Sequence, residues 1–188
     1  NPGSRSRLNK KTDNKMRTIR TKVYQFSELS KAAQQTAIEW YRSTTDDSFA
    51  WDNTKEDAEQ IGLKIESLDD HRPNRGEFIE SAESTAQQII ENHGKHCETY
   101  KTAAAFLEER DELVTKHSDG INTNKVAEYN EWEFDQECDE LEEEFLKSIL
   151  EDYRIMYNND IDHENSDEYI IEQITVNGYE FKADGTRF

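Results

Sequence analysis

Two small groups of residues have the types and spacing of metal ligands. His93, His96 and Cys97 fall within the five positions of "HGKHC". Imidazole and thiolate bind zinc, but a structural zinc site ordinarily takes two such pairs. No second Cys/His pair exists in the chain, so the expectation is a loop holding a buried cysteine. Asp160, Asp162 and Glu164 alternate in "NNDIDHENSDEY" as oxygen ligands do in a calcium loop. That loop needs glycine at its sixth position and a carboxylate at its twelfth. Asn165 and Ile171 stand there, which argues against an EF-hand and leaves only weak, nonspecific cation binding open. No phosphate loop, dinucleotide fingerprint, nucleophile elbow or HExxH occurs. No catalytic residue, cofactor or metal ligand is therefore assigned, and the expectation is a protein that is not an enzyme.

The third group is larger. "EYNEWEFDQECDELEEEFLKSILEDY", Glu128 to Tyr153, holds twelve carboxylates and one lysine, Lys147. On a helix, Phe134, Cys138, Leu141, Phe145, Ile149, Tyr153 and Met156 step by 4, 3, 4, 4, 4 and 3 and form one apolar stripe. The carboxylates fall mostly away from that stripe, so a core face and a charged face coexist. A helix rises about 1.5 Å per residue, which gives one acid per roughly 3 Å of axis. One DNA strand carries a phosphate per about 3.4 Å, so the two linear charge densities are similar. Acids three and four apart, such as Asp135–Asp139 and Glu140–Glu144, repel by a few tenths of a kcal/mol per pair. Solubility alone could be had more cheaply by interleaving lysines. A solvated surface helix is the plain reading. The functional one is a charge-presenting surface formed by Glu131, Glu133, Asp135, Glu137, Asp139, Glu140, Glu142, Glu143 and Glu144, with Trp132 as an anchor at its edge. Trp40–Tyr41, Trp51 and Trp132 could stack on a ligand, but aromatic residues more often pack in a core.

The elements that must hold these residues can be read from periodicity. "RTIRTKVYQF" alternates with β-branched residues and predicts a strand from about Arg17 to Phe26. Ser27 or Ser30 caps a helix over roughly Ser30–Arg42, with Leu29, Ala33, Ala37, Trp40 and Tyr41 at helical spacing. "TTDDSFAWDN" reads as a connection, "WDNTKEDAEQIG" as a helix stopped at Gly62, and "LKIESLDD" as a strand. "HRPNRG" is a loop, and "EFIESAES" is ambiguous between strand and helix start. "STAQQIIENHG" is helical, and a further helix through Cys97, Tyr100, Ala104, Leu107, Leu113 and Val114 stops at Gly120. A long helix follows from near Asn124 to about Asn158. Asn177-Gly178 between β-rich runs predicts a hairpin with strands near Tyr169–Val176 and Tyr179–Phe181. The expected fold is α+β. A small antiparallel sheet is drawn from the N- and C-terminal strands, with helices packed on one face and a long acidic helical hairpin over about 95–158.

Composition sets the class. The chain has 188 residues, 33% apolar and 35% charged, which makes for a lean core. Its net charge of −19 is uneven: residues 1–31 carry +7 and residues 32–188 carry −26. Such a body repels nucleic acid and anionic membrane, so neither is an expected direct partner. Cys97 and Cys138 fit no disulfide framework, and no apolar run approaches membrane-spanning length. The expected location is cytoplasmic. Residues 1–15 precede Met16 and read as an expression tag or a basic tail, leaving 16–188 as a single domain. The long helices could pair within one chain or between two chains as a homodimer.

"VYQFSELSKAAQQTAIEWYRS", Val23–Ser43, resembles a family of small uncharacterised bacteriophage and prophage proteins. Their shared opening is a strand, then F-x-E-L-s-x-x-A-x-x-x-A and an aromatic pair. Phe26, Glu28, Leu29, Ser30, Ala33, Ala37, Trp40 and Tyr41 fit it. "IGLKIESLD" and "ENHGKHCETYKTAAAFLEERDELV" extend the similarity over most of Met16–Phe188. The resemblance implies a phage setting and a bacterial host, and some members carry an antitoxin-like label. By analogy, a very acidic small protein in that setting blocks a host nucleic-acid-binding protein or nuclease, of restriction or CRISPR type, by imitating DNA. The alternative is a toxin-neutralising or regulatory protein-binding module, in which an apolar groove matters more than charge.

Overall fold

The computed structural model describes residues 20–45, 48–122 and 131–188. The fold is α+β, dominated by helices, with short antiparallel strand pairs. Its contacts group into two compact units, residues 44–170 and residues 1–43 with 171–188, where the sequence suggests one domain.

The larger unit begins with helix α1 (Ser48–Gln60). The helix also takes in Ser48–Ala50, which the sequence pattern places in a connection. Strands β1 (Leu63–Ser67) and β2 (Arg75–Phe78) follow and pair antiparallel. Leu63 and Ile65 are buried while Lys64 and Glu66 face out, the period-2 pattern of a half-buried strand. Opposite residues are Leu63 with Phe78, Lys64 with Glu77 and Ile65 with Gly76, and the register shifts between Ile65 and Ser67. Ser81 caps helix α2 (Ala82–Asn92) by accepting from the Ser84 amide at 3.1 Å.

Helices α3 (Glu98–Asn122) and α4 (Glu131–Glu164) complete this unit. They pack antiparallel: Thr102 meets Asp152, Phe106 stacks on Phe145 at 4.3 Å, and Lys116 reaches Glu137. Helix α3 runs through Gly120 to Asn122 rather than stopping at the glycine. Helix α4 continues six residues past Asn158; its expected start near Asn124 lies outside the described residues. The acid-rich face is available because the core takes the opposite side. Phe145, Ile149, Leu150 and Tyr153 are buried with Ile61, Leu63, Ile65, Ile89 and Phe106.

The smaller unit pairs strand β3 (Tyr24–Gln25) with strand β4 (Glu180–Phe181), Tyr24 opposite Phe181. The strand predicted over Arg17–Phe26 is therefore short where it is described. Phe26–Glu28 form a 3-10 turn closed by Glu28 accepting from the Gln25 amide at 2.8 Å. Helix α5 (Lys31–Thr44) starts after Ser30, whose hydroxyl accepts from the Ala33 amide. Trp40 meets Tyr179 and Phe181 edge-on at 5.4 and 5.8 Å, and Arg187 lies over Trp40 and Tyr179. Two expectations are corrected by these elements. The terminal strands pair with each other, but β1 and β2 form a separate two-stranded sheet. Residues Asp167–Val176 form helix α6 and not the first strand of a hairpin. Ser166 accepts from the Tyr169 amide, and Ile170 and Ile174, one turn apart, are both buried. Gly178, at φ +62°, ends that helix. The Tyr179 amide donates to the Ile174 carbonyl and the Gly178 amide to the Thr175 carbonyl, the paired closure of a Schellman motif.

Candidate partner-binding face on the acidic helix

Helix α4 has 34 residues and so extends about 50 Å. Its side chains separate into three groups. Glu133, Asp135, Asp139, Glu140, Glu143 and Glu144 are exposed. At about 100° per residue they fan over roughly half the circumference of the helix, so the charge covers a broad face instead of one line. Trp132, at the start of this face, is 72% exposed. Glu131 begins the helix, and its side chain lies outside the described residues.

Glu137 and Glu142 are half-buried. Glu137 turns to α3, where Lys116 Nζ donates to both carboxylate oxygens at 2.9 Å and the His117 ring nitrogen lies at 3.1 Å. The lysine and histidine bonds hold its carboxyl below the usual range. Glu137 is thus engaged by α3, while Glu140 accepts from the Gln136 side chain at 2.9 Å along α4 itself. Lys147 lies 3.7 Å from Glu143, both side chains about three-quarters exposed, so this pair is weak. Among the described residues, no Lys or Arg forms an ion pair with Glu133, Asp135, Asp139, Glu140, Glu142 or Glu144.

Two features beside this face were not singled out from the sequence. Helix α3 adds Glu108, Asp111 and Glu112 along an open cleft with Thr115 and Lys116. Its "LEERDEL" run carried that signal, since acids three and four apart share a helix face. The second feature is an apolar floor between β2 and α4, formed by Phe78 and Leu146 beside Asp139, Glu142 and Glu143. Only tertiary packing brings Phe78 there.

The metal-type groups resolve differently. His93 Nδ1 is 2.8 Å from the Thr99 hydroxyl, and its Nε2 is 3.9 Å from Asp57. Asp57 in turn accepts from the buried Tyr153 hydroxyl at 2.8 Å, so His93 belongs to a tie joining α1, α3 and α4. Cys97, expected to be buried, is exposed, as is His96. Asp160, Asp162 and Glu164 lie on the last turns of α4 and do not form a loop. Residues two apart on a helix point to different sides. Among the described residues, no group of three or more His, Cys, Asp or Glu could hold a metal ion. Cys138 lies half-buried, and that burial pushes its thiol pKa up, away from reactivity. Among the described residues, no helix is long and apolar enough to cross a membrane.

No family model matches the chain, and no curated protein or solved structure is significantly similar to it.

Proposed function

We propose that the chain is a non-enzymatic inhibitor whose acidic α4 face occupies the nucleic-acid-binding channel of a host defence protein, of restriction or CRISPR type. The observation that carries this reading is the exposed, largely unpaired carboxylate set Glu133, Asp135, Asp139, Glu140 and Glu144 on one continuous helix. A helix fixes the spacing of its charges, so a channel built to neutralise phosphates meets a preorganised polyanion. Binding there releases counterions as nucleic acid does. The resemblance of Val23–Ser43 to phage proteins supplies the setting.

The test is capture from host lysate at two salt concentrations, with duplex DNA as competitor and with the charge reversal Glu140→Lys, Glu143→Lys, Glu144→Lys. The expected partner is a nucleic-acid-binding protein that DNA displaces, that high salt releases and that the reversed variant fails to hold. A partner retained at high salt, indifferent to DNA and to charge reversal would overturn the reading. It would favour the groove-driven, antitoxin-like alternative.

A further inference from the structure

Two open clefts of about 270 and 420 Å³ flank the junction of β2 and α4. They share Glu143 and Leu146 and so adjoin along α4; together they are called the trough. One end is floored by Phe78 and Leu146 and rimmed by Asp139, Glu142 and Glu143. The other reaches Gly76 and Leu150, with Arg75 and Lys147 among its lining. From Asp139 to Leu150 the helix rises about 16 Å, or three turns.

The trough is built into the fold. Phe78 stacks on Phe145 at 5.5 Å, which fixes the floor against the core. Gly76 lets strand and helix approach: a Cβ there would lie 2.6 Å from the Lys64 carbonyl oxygen and 2.9 Å from a Leu150 methyl. Phe78 and Leu146 remain only half-buried, so apolar surface faces water between carboxylates. The charge is graded: three acids and no Lys or Arg line the Phe78 end, while at the other Arg75 and Lys147 offset part of the charge of Glu66, Glu77 and Glu143.

We propose that this trough receives a cationic amphipathic helix of the partner, its apolar side chains on Phe78 and Leu146 and its Lys or Arg residues against Asp139, Glu142 and Glu143. The proposal rests on the function proposed above and specifies what the partner presents. Charge complementarity selects the occupant. A nucleic acid is repelled, and an uncharged helix leaves the rim carboxylates partnerless. A helix with apolar residues at i, i+3 and i+4 and cations on its flanks satisfies floor and rim together.

The probes are two synthetic peptides of equal positive charge and about twelve residues, long enough for three helical turns. One carries leucines at helical spacing; the other has serine in their place. Affinity for the full chain is read by fluorescence anisotropy at low salt. The leucine peptide should bind about tenfold tighter, the effect of burying a leucine side chain. Leu146→Gln should bring that ratio close to one. In the wild-type chain the leucine peptide should shift the methyl NMR signals of Leu146 and Leu150, a readout that needs no variant. Equal affinities, or unmoved methyls, would overturn the trough while leaving the acidic face intact. Absence of binding by either peptide would bring down the function proposed above along with it. Methyl shifts that grow with protein concentration before peptide is added would assign the trough to a second copy instead.

Discussion

Asp152 and Glu137 are carboxylates of the same helix held in opposite ways. Glu137 receives Lys116 and His117, which lower its pKa. The stability it adds is present above the ordinary carboxylate value and is lost as pH falls through its own lower one. Asp152 is pushed up by burial, with only the Thr102 hydroxyl, donating at 2.6 Å, acting the other way. Its folded pKa lies above its unfolded one, so its contribution to stability declines as pH rises from the ordinary carboxylate value through the raised one. Thr102→Val removes the one opposing bond. The Asp152 carboxyl should then titrate at still higher pH, as followed by its carboxyl carbon NMR signal; an unchanged midpoint would show that the hydroxyl does not hold it. Tyr153→Phe tests a second buried bond, the donation to Asp57. Asp57 is half-exposed and water can replace the lost donor, so the cost should be about 1–2 kcal/mol by urea unfolding. The acids of α4 were legible in the sequence because charge is a property of residue type. Their partners were not: Glu137 is quenched by residues twenty and twenty-one positions earlier, a pairing that only the packing of α3 on α4 creates.

At the scale of elements, the long periodic segments and the short alternating strand Leu63–Ser67 follow their sequence pattern, while the β-rich segment Asp167–Val176 does not. The stripe Phe134–Cys138–Leu141–Phe145–Ile149–Tyr153 turns inward as its spacing implies, from half-buried Phe134 to full burial of Ile149 and Tyr153, but Met156, expected as its last member, is 41% exposed. "DEYIIEQITV" is rich in β-branched residues, yet it forms helix α6, since helical spacing buries both Ile170 and Ile174. The contrary signal was present: Ser166 as cap and Asp167 and Glu168 in the first turn mark a helix start. Asn177-Gly178 then closes a helix, because a left-handed glycine serves a Schellman end as well as a hairpin. For Gly178→Ala, nothing lies within 4 Å of the added Cβ, so the cost is the left-handed backbone alone, about 1 kcal/mol, visible as a small drop in Tm. Gly178→Asn should lose less, since asparagine tolerates that region. Gly76→Ala meets backbone and Leu150 together and should destabilise the chain by more than Gly178→Ala. Equal losses at the two positions would mean that α4 yields to make room at Gly76.

For the whole molecule, the charge of −19 couples stability and binding with opposite signs. Exposed acids on α4 that lack a cation raise the free energy of the folded state by mutual repulsion, which extends over a Debye length of about 10 Å at 0.1 M salt and about 3 Å at 1 M. Added sodium chloride should therefore raise the Tm, by screening repulsion faster than it weakens the few exposed ion pairs. The same screening should weaken any complex that α4 forms with a phosphate-binding channel. Neutralising Glu140, Glu143 and Glu144 to glutamine separates these effects at fixed salt. Each repulsive pair removed is worth a few tenths of a kcal/mol, so the triple variant should gain about 0.5–1 kcal/mol in stability while losing partner affinity. A solubilising role predicts the same stability gain with no affinity lost. Measuring unfolding and binding on that one variant, across the same salt series, decides between a surface that is merely wetted and one that is held charged, at a cost to the fold, for a partner.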